Sequence, residues 1–137
     1  MTLTIIFTII IVHWIADFVF QAEDWAVNKS KNFGSLTCHT LTYSVLWILP
    51  AACMFSFPCD ISFLGYCVPV PKVFAFVGIT FVAHTITDYF TSKIVSKRFA
   101  DNYYGSPIPN FGAFSIIGFD QVLHYVQLVL TYYFLKA

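Results

Sequence analysis

Charge is what this sequence has least of: Asp, Glu, Lys and Arg make up 10% of its 137 residues. A water-facing domain carries about 25%, so the composition excludes an ordinary soluble domain and leaves no room for a second one. Net charge is missing as well. Seven basic residues stand against seven acidic ones, which gives no field to draw in nucleic acid or an acidic substrate, and nucleic acid is not expected as a partner. Several common chemical signatures are absent: no Cys-x-x-Cys, no Gly-x-Ser-x-Gly, no glycine loop that cradles phosphate. The four cysteines are too few for a disulfide scaffold. Cys59 and Cys67 can pair if their compartment is oxidising, while Cys38 reads as a small buried apolar residue.

What remains is apolar. Hydrophobic residues account for 58% and aromatics for 20%, with 16 Phe, and the mean hydropathy is +0.75. Four stretches approach the roughly 20 apolar residues that cross a bilayer: residues 2–20, 35–57, 70–90 and 114–134. The expected fold is all-α, an integral membrane four-helix bundle, as one transmembrane domain over residues 1–137 with lipid as its surroundings. Pro50 falls inside the second stretch, where membrane helices tolerate a kink. The connections read as loops: 21–34 is polar, 58–71 holds three prolines and Gly65, and 91–113 holds Gly105, Pro107, Pro109 and Gly112. The first stretch lacks a basic flank and a small-residue cleavage site, so it reads as a retained span and not a signal peptide. Lys29 and Lys31 in the first connection and Lys93, Lys97 and Arg98 in the third outweigh Lys72 and Lys136. By the positive-inside rule those two connections face the cytoplasm, which puts both termini outside. The Asn28-Lys29-Ser30 sequon would then be silent.

Inside these apolar stretches lie three histidine–aspartate pairs at i,i+4 spacing: His13/Asp17, His84/Asp88 and Asp120/His124. That spacing sets both partners on one helix face. With up-down-up-down connectivity all three pairs, and His39, fall within roughly 3 to 15 Å of the cytoplasmic edge at 1.5 Å of rise per residue. Ionisable groups at membrane depth are costly and mark sites. One isolated pair could simply bridge two helices; three pairs and a fourth histidine converging on one half of the bundle point to a centre. Imidazole and carboxylate are ordinary ligands of zinc, and related sets serve manganese or iron. The candidate ligands are His13, Asp17, His39, His84, Asp88, Asp120 and His124 around one or two divalent ions, zinc first, with His39 balanced between ligand and hydrogen-bonding support. A carboxylate left over, Asp17, Asp88 or Asp120, is the candidate general base. Lys29 and Lys93 are candidates to hold an anionic group of the substrate, with Gln21 and Gln121 beside them.

In order and spacing these motifs resemble one family. His13-x-x-x-Asp17-Phe18-x-x-Gln21, Lys29, His39-x-x-x-Tyr43, His84-x-x-x-Asp88-Tyr89 and Asp120-Gln121-x-x-His124 are similar to those of the small bacterial and phage membrane proteins grouped as domain of unknown function 3307. More loosely, the His-x-x-x-Asp turns resemble those of membrane-bound metal-dependent hydrolases, which implies hydrolysis and no particular substrate. The expected function is hydrolysis of a lipid-linked or otherwise membrane-delivered substrate at the cytoplasmic leaflet. Two other readings stay open: a transporter or channel for protons, metal or a small molecule, and a non-enzymatic membrane factor acting through a partner protein. A homo-oligomer or a partner membrane protein also stays open.

Overall fold

The computed structural model describes residues 1–58, 65–101 and 111–137, and these are overwhelmingly helical. Helix α1 (Leu3–Trp14) starts at Thr2, whose hydroxyl accepts from the Ile5 amide, and runs on into one π-helical turn, Ile15–Val19. After the short α2 (Glu23–Asn28), Asn32 caps α3 (Phe33–Leu46) through a 2.8 Å bond from the Gly34 amide. Helices α4 (Ile48–Phe55) and α5 (Val70–Ala100) flank a hairpin of β1 (Phe57–Pro58) and β2 (Tyr66–Cys67), and α6 (Phe111–Lys136) closes the chain. Gly65 enters β2 at φ +69°, a conformation that suits glycine.

Pro50 explains the break between α3 and α4. It has no N–H for the Leu46 carbonyl and its ring crowds that carbonyl. The chain therefore tightens at Trp47, whose amide bonds back to Ser44 at 3.1 Å. It then restarts with Pro50 inside the new first turn, where no intrahelical donor is needed. At the other end of the hairpin, α5 runs ten residues past the expected boundary at 90, because 91–98 carries charge but no glycine or proline. Lys93, Lys97 and Arg98 are thus helical. The polar first connection likewise contains α2. Gly105, Pro107 and Pro109 of the third connection, and Cys59, lie outside the described residues. Cys67 is disulfide-bonded.

Helix α5 packs against α3, α4 and α6, and α1 against α6. The interior has two layers. Ile9, Tyr43, Trp47, Phe55, Phe76, Leu128 and Tyr132 form an apolar and aromatic layer toward the hairpin end. The other layer holds His13, Asp17, His39, His84, Asp88, Asp120 and His124, all buried. Outside, the pattern is reversed from that of a soluble protein: Phe7, Trp14, Leu49, Phe74, Val82 and Phe134 are among many large apolar side chains left exposed. Among the described residues, two helical segments are long and apolar enough to cross a membrane, Phe33–Phe55 over 23 residues and Val70–Arg98 over 29. The first expected stretch forms a shorter apolar helix, Leu3–Val19.

Candidate metal centre

Four segments deliver the polar layer. The end of α1 brings His13 and, from the π turn, Asp17; the start of α3 brings His39; the middle of α5 brings His84 and Asp88; the first half of α6 brings Asp120 and His124. The π turn alters what the sequence spacing implied. It winds the chain more loosely than an α-helix, and His13 Nε2 ends 4.0 Å from Asp17 Oδ2, beyond hydrogen-bond range. Asp17 Oδ1 turns instead toward α3 and α5.

There the closest convergence forms. His39 Nε2 and His84 Nε2 stand 3.1 Å apart. Asp17 Oδ1 lies 3.2 Å from the first and 3.5 Å from the second. Asp88 Oδ2 lies 3.2 and 3.7 Å from the same two atoms. The ligands of a tetrahedral zinc ion, at bonds of about 2.0–2.1 Å, are separated by about 3.3 Å, so each of these spacings is close to the one such an ion imposes. Two trios, Asp17/His39/His84 and His84/Asp88/His124, could each hold a metal ion, their ligand atoms lying within 4.8 Å of one another.

Hydrogen bonding alone leaves this cluster incomplete. Asp17 Oδ1 is fully buried and near two nitrogens, yet hydrogen-bonds with neither. A proton shared between His39 and His84 satisfies their contact once, and His84 Nδ1 has no partner on its far side. Unpaired buried carboxylate oxygen is costly; a divalent cation among the four groups removes that cost. The donor set of two imidazoles and two carboxylates suits zinc, manganese or iron alike.

The surrounding groups brace the cluster. His84 is stacked between Tyr43, with ring centroids 3.9 Å apart, and His124, at 4.1 Å. His124 Nε2 reaches Asp88 Oδ1 at 3.2 Å and Asp120 Oδ2 at 3.5 Å. Asp120 Oδ1 accepts from the Thr91 hydroxyl at 2.7 Å. A second chain of bonds has only one consistent direction of donation. Gln121 gives its amide N–H groups to Asp17 Oδ2 (3.1 Å) and Asp120 Oδ2 (3.2 Å). Its carbonyl oxygen must then accept from His13 Nε2–H at 2.7 Å, so His13 Nδ1 accepts from the Tyr43 hydroxyl, also at 2.7 Å. Both nitrogens of His13 are therefore committed, and it orients Gln121 where the sequence suggested a ligand. Gln121, expected beside substrate, instead ties two carboxylates together.

Lys29, from the end of α2, donates to Asp88 Oδ2 at 2.8 Å. Burial disfavours its ammonium, but the Asp88 carboxylate outweighs this and raises Lys29 above the ordinary lysine value. Lys93 is not brought here: it is exposed, bonding the Tyr89 hydroxyl at 2.6 Å and covering that ring. Gln21 is half-buried, its amide nitrogen without a partner. Cys38 is exposed, correcting the expectation of burial; α3 turns Leu36, His39, Thr40 and Tyr43 inward, and Cys38 falls on the outer side. Sequence reasoning missed Tyr43 and Thr91 as bracing groups. The i+4 spacing of Tyr43 from His39 was the available signal for the first, and the one-turn spacing of Thr91 from Asp88 for the second.

Fold and site together define an all-helical protein with a buried His/Asp cluster able to hold a metal ion. The chain belongs to the family described as protein of unknown function, DUF3307, whose sequence model matches residues 5–137. No curated protein and no solved structure matches it, so these comparisons do not bear on hydrolysis.

Proposed function

We propose that the protein is an integral membrane metallohydrolase: four membrane-crossing segments around a divalent metal, zinc first, acting on a lipid-linked or membrane-delivered substrate at the cytoplasmic leaflet. One observation carries this reading, the approach of Asp17, His39, His84 and Asp88 to one another at metal-ligand spacing in a buried layer. The inverted polarity of the molecule, with apolar residues outward and ionisable ones inward, supports the membrane setting. Helices α1, α3–α4, α5 and α6 are the four crossings, the first the shortest. Lys29 and Lys31, just after α2, and the basic residues at the end of α5 lie at the site's end of the bundle, and disulfide-bonded Cys67 lies at the other. Cytoplasm at the first and an oxidising compartment at the second agree with both observations.

Asp17, His39, His84 and Asp88 would hold the ion, with His84, Asp88 and His124 offering a second, adjacent set. A bound divalent ion supplies Lewis acidity toward water and neutralises the carboxylates. Asp120 lies outside the first four and is the carboxylate left to take a proton; Thr91 and Gln121 fix its position. Lys29 places an ammonium beside Asp88, where it can also meet an anionic substrate group. His13 and Tyr43 hold Gln121, and through it Asp17. On the far side Trp47, Phe55, Phe76 and Tyr132 fill the bundle, which favours chemistry at one leaflet over passage across both.

Zinc-loaded protein in proteoliposomes, offered a panel of membrane-delivered carboxylic, phosphoric and amide esters, should hydrolyse at least one class. Chelation should abolish this. Asp120→Asn should keep the metal and lose about 10²–10⁴-fold in rate, the contribution of a general base. A metal-loaded protein inert toward the whole panel would contradict the hydrolase and leave the metal centre standing.

A further inference from the structure

Between α2, α5 and α6 a cavity of about 220 Å³ opens beside the centre, lined by Lys29, Ser30, Ser92, Ser96 and Asp120 on its polar side and by Val27, Val95, Ile116 and Ile117 on its apolar side. Its floor belongs to the cluster already described. Asp120 approaches His124 and accepts from Thr91, and Lys29 contacts Asp88. Ser92 and Ser96 are one helical turn apart on the face of α5 that also carries Asp88, and Lys29 and Asp120 are common to the cavity and the cluster.

The polar lining sets one ammonium and three hydroxyls beside one carboxylate. Asp120 has both oxygens occupied, by Thr91 and by Gln121. Ser92 Oγ is buried with no partner, and Ser30 and Ser96 add two more hydroxyls to the lining they share with Lys29. One ammonium and hydroxyls that can each turn a proton toward a bound group suit a ligand that is negative and rich in acceptors, seated toward Lys29 and away from the Asp120 carboxylate. At about 30 Å³ per water-sized group the space holds roughly seven such groups, enough for a phosphate head and the first atoms of a chain. Beyond that the apolar walls lead outward. Val27 is 63% and Ile117 40% exposed.

The geometry points to this cleft as a binding site for a phosphate-headed amphiphile, with the phosphate against Lys29, Ser30, Ser92 and Ser96 and the chain leaving along Val27, Val95, Ile116 and Ile117. The assignment deepens the metallohydrolase reading and rests on it for what happens to the phosphate ester, but the binding itself needs only these side chains. A soluble phosphate ester shares the head chemistry and lacks the chain.

The test is binding to the zinc-loaded full chain in neutral phosphatidylcholine nanodiscs, using dodecyl phosphate, dodecyl maltoside and methyl phosphate as probes, with metal content measured on every sample. Dodecyl phosphate should bind saturably and at least tenfold more tightly than the other two. Ser92→Val/Ser96→Val should weaken it about tenfold or more, the effect of losing charge-assisted hydrogen bonds, with metal content unchanged. Equal binding of dodecyl phosphate and dodecyl maltoside, or an undiminished affinity in the double variant, overturns the site. Tighter binding of methyl phosphate overturns the amphiphile in favour of a soluble ester. Protein that takes up no zinc on loading and still selects dodecyl phosphate supports the cleft while contradicting the metal centre, so the two failures are distinguishable.

Discussion

Tyr43 is fully buried, and its hydroxyl donates to His13 Nδ1. Tyr43→Phe keeps the ring that stacks on His84 and removes only that donor. It leaves a buried nitrogen unpaired, at a cost of about 1–3 kcal/mol, and frees Gln121 to turn away from Asp17. A lower unfolding midpoint in detergent and a zinc affinity weakened about tenfold or more, in keeping with lost outer support, are the expected results; an unchanged titration would show that this chain of bonds positions nothing. At this scale the residue types of the centre were legible, because ionisable groups are conspicuous in apolar helices. Their division of labour was not. His13 differs from His39 only in what faces it, and those partners are 30 and 108 positions away. Lys29 and Lys93 looked alike for the same reason, until α2 turned one inward and the extension of α5 kept the other on the surface.

Helix existence followed from hydropathy, and helix ends did not. A window that scores apolarity stops α5 at residue 90, whereas the backbone continues until something disfavours it. The π turn was invisible because nothing in Ile15–Val19 announces an extra residue in the turn; its effect is read only in where Asp17 points. Pro50 was legible as a local fault, and its consequence is that Trp47 sits at the junction, sealing the apolar layer. Pro50→Ala restores the donor to Leu46 and favours one continuous helix through 47. Trp47 must then leave its packing, a repacking expected to cost about 1–3 kcal/mol. The polar layer lies further along α3, toward its start, so metal content should stay as in the unsubstituted protein. Thermal unfolding and metal analysis on the same preparation check both halves, and a loss of metal would show that the two layers are coupled.

Over the whole molecule the informative property is inversion. Composition alone implied an apolar exterior, and the exposed belt of Phe, Ile, Leu and Val agrees with it. The proposed orientation makes a further prediction. In intact cells, an impermeant maleimide should label Lys72→Cys directly and Lys31→Cys only after the inner face is opened; the opposite order would reverse the topology and move the centre to the outer leaflet.

The central claim is that Asp17, His39, His84 and Asp88 form one metal site. Elemental analysis of protein purified in detergent, supplemented with zinc or manganese and then dialysed, tests it most directly. The expected result is about one ion per chain, or two if the His84/Asp88/His124 set also fills, falling to background in His39→Ala/His84→Ala while the Lys93→Ala chain keeps its metal. Less than about a tenth of an ion per chain in the unsubstituted, folded protein would contradict it.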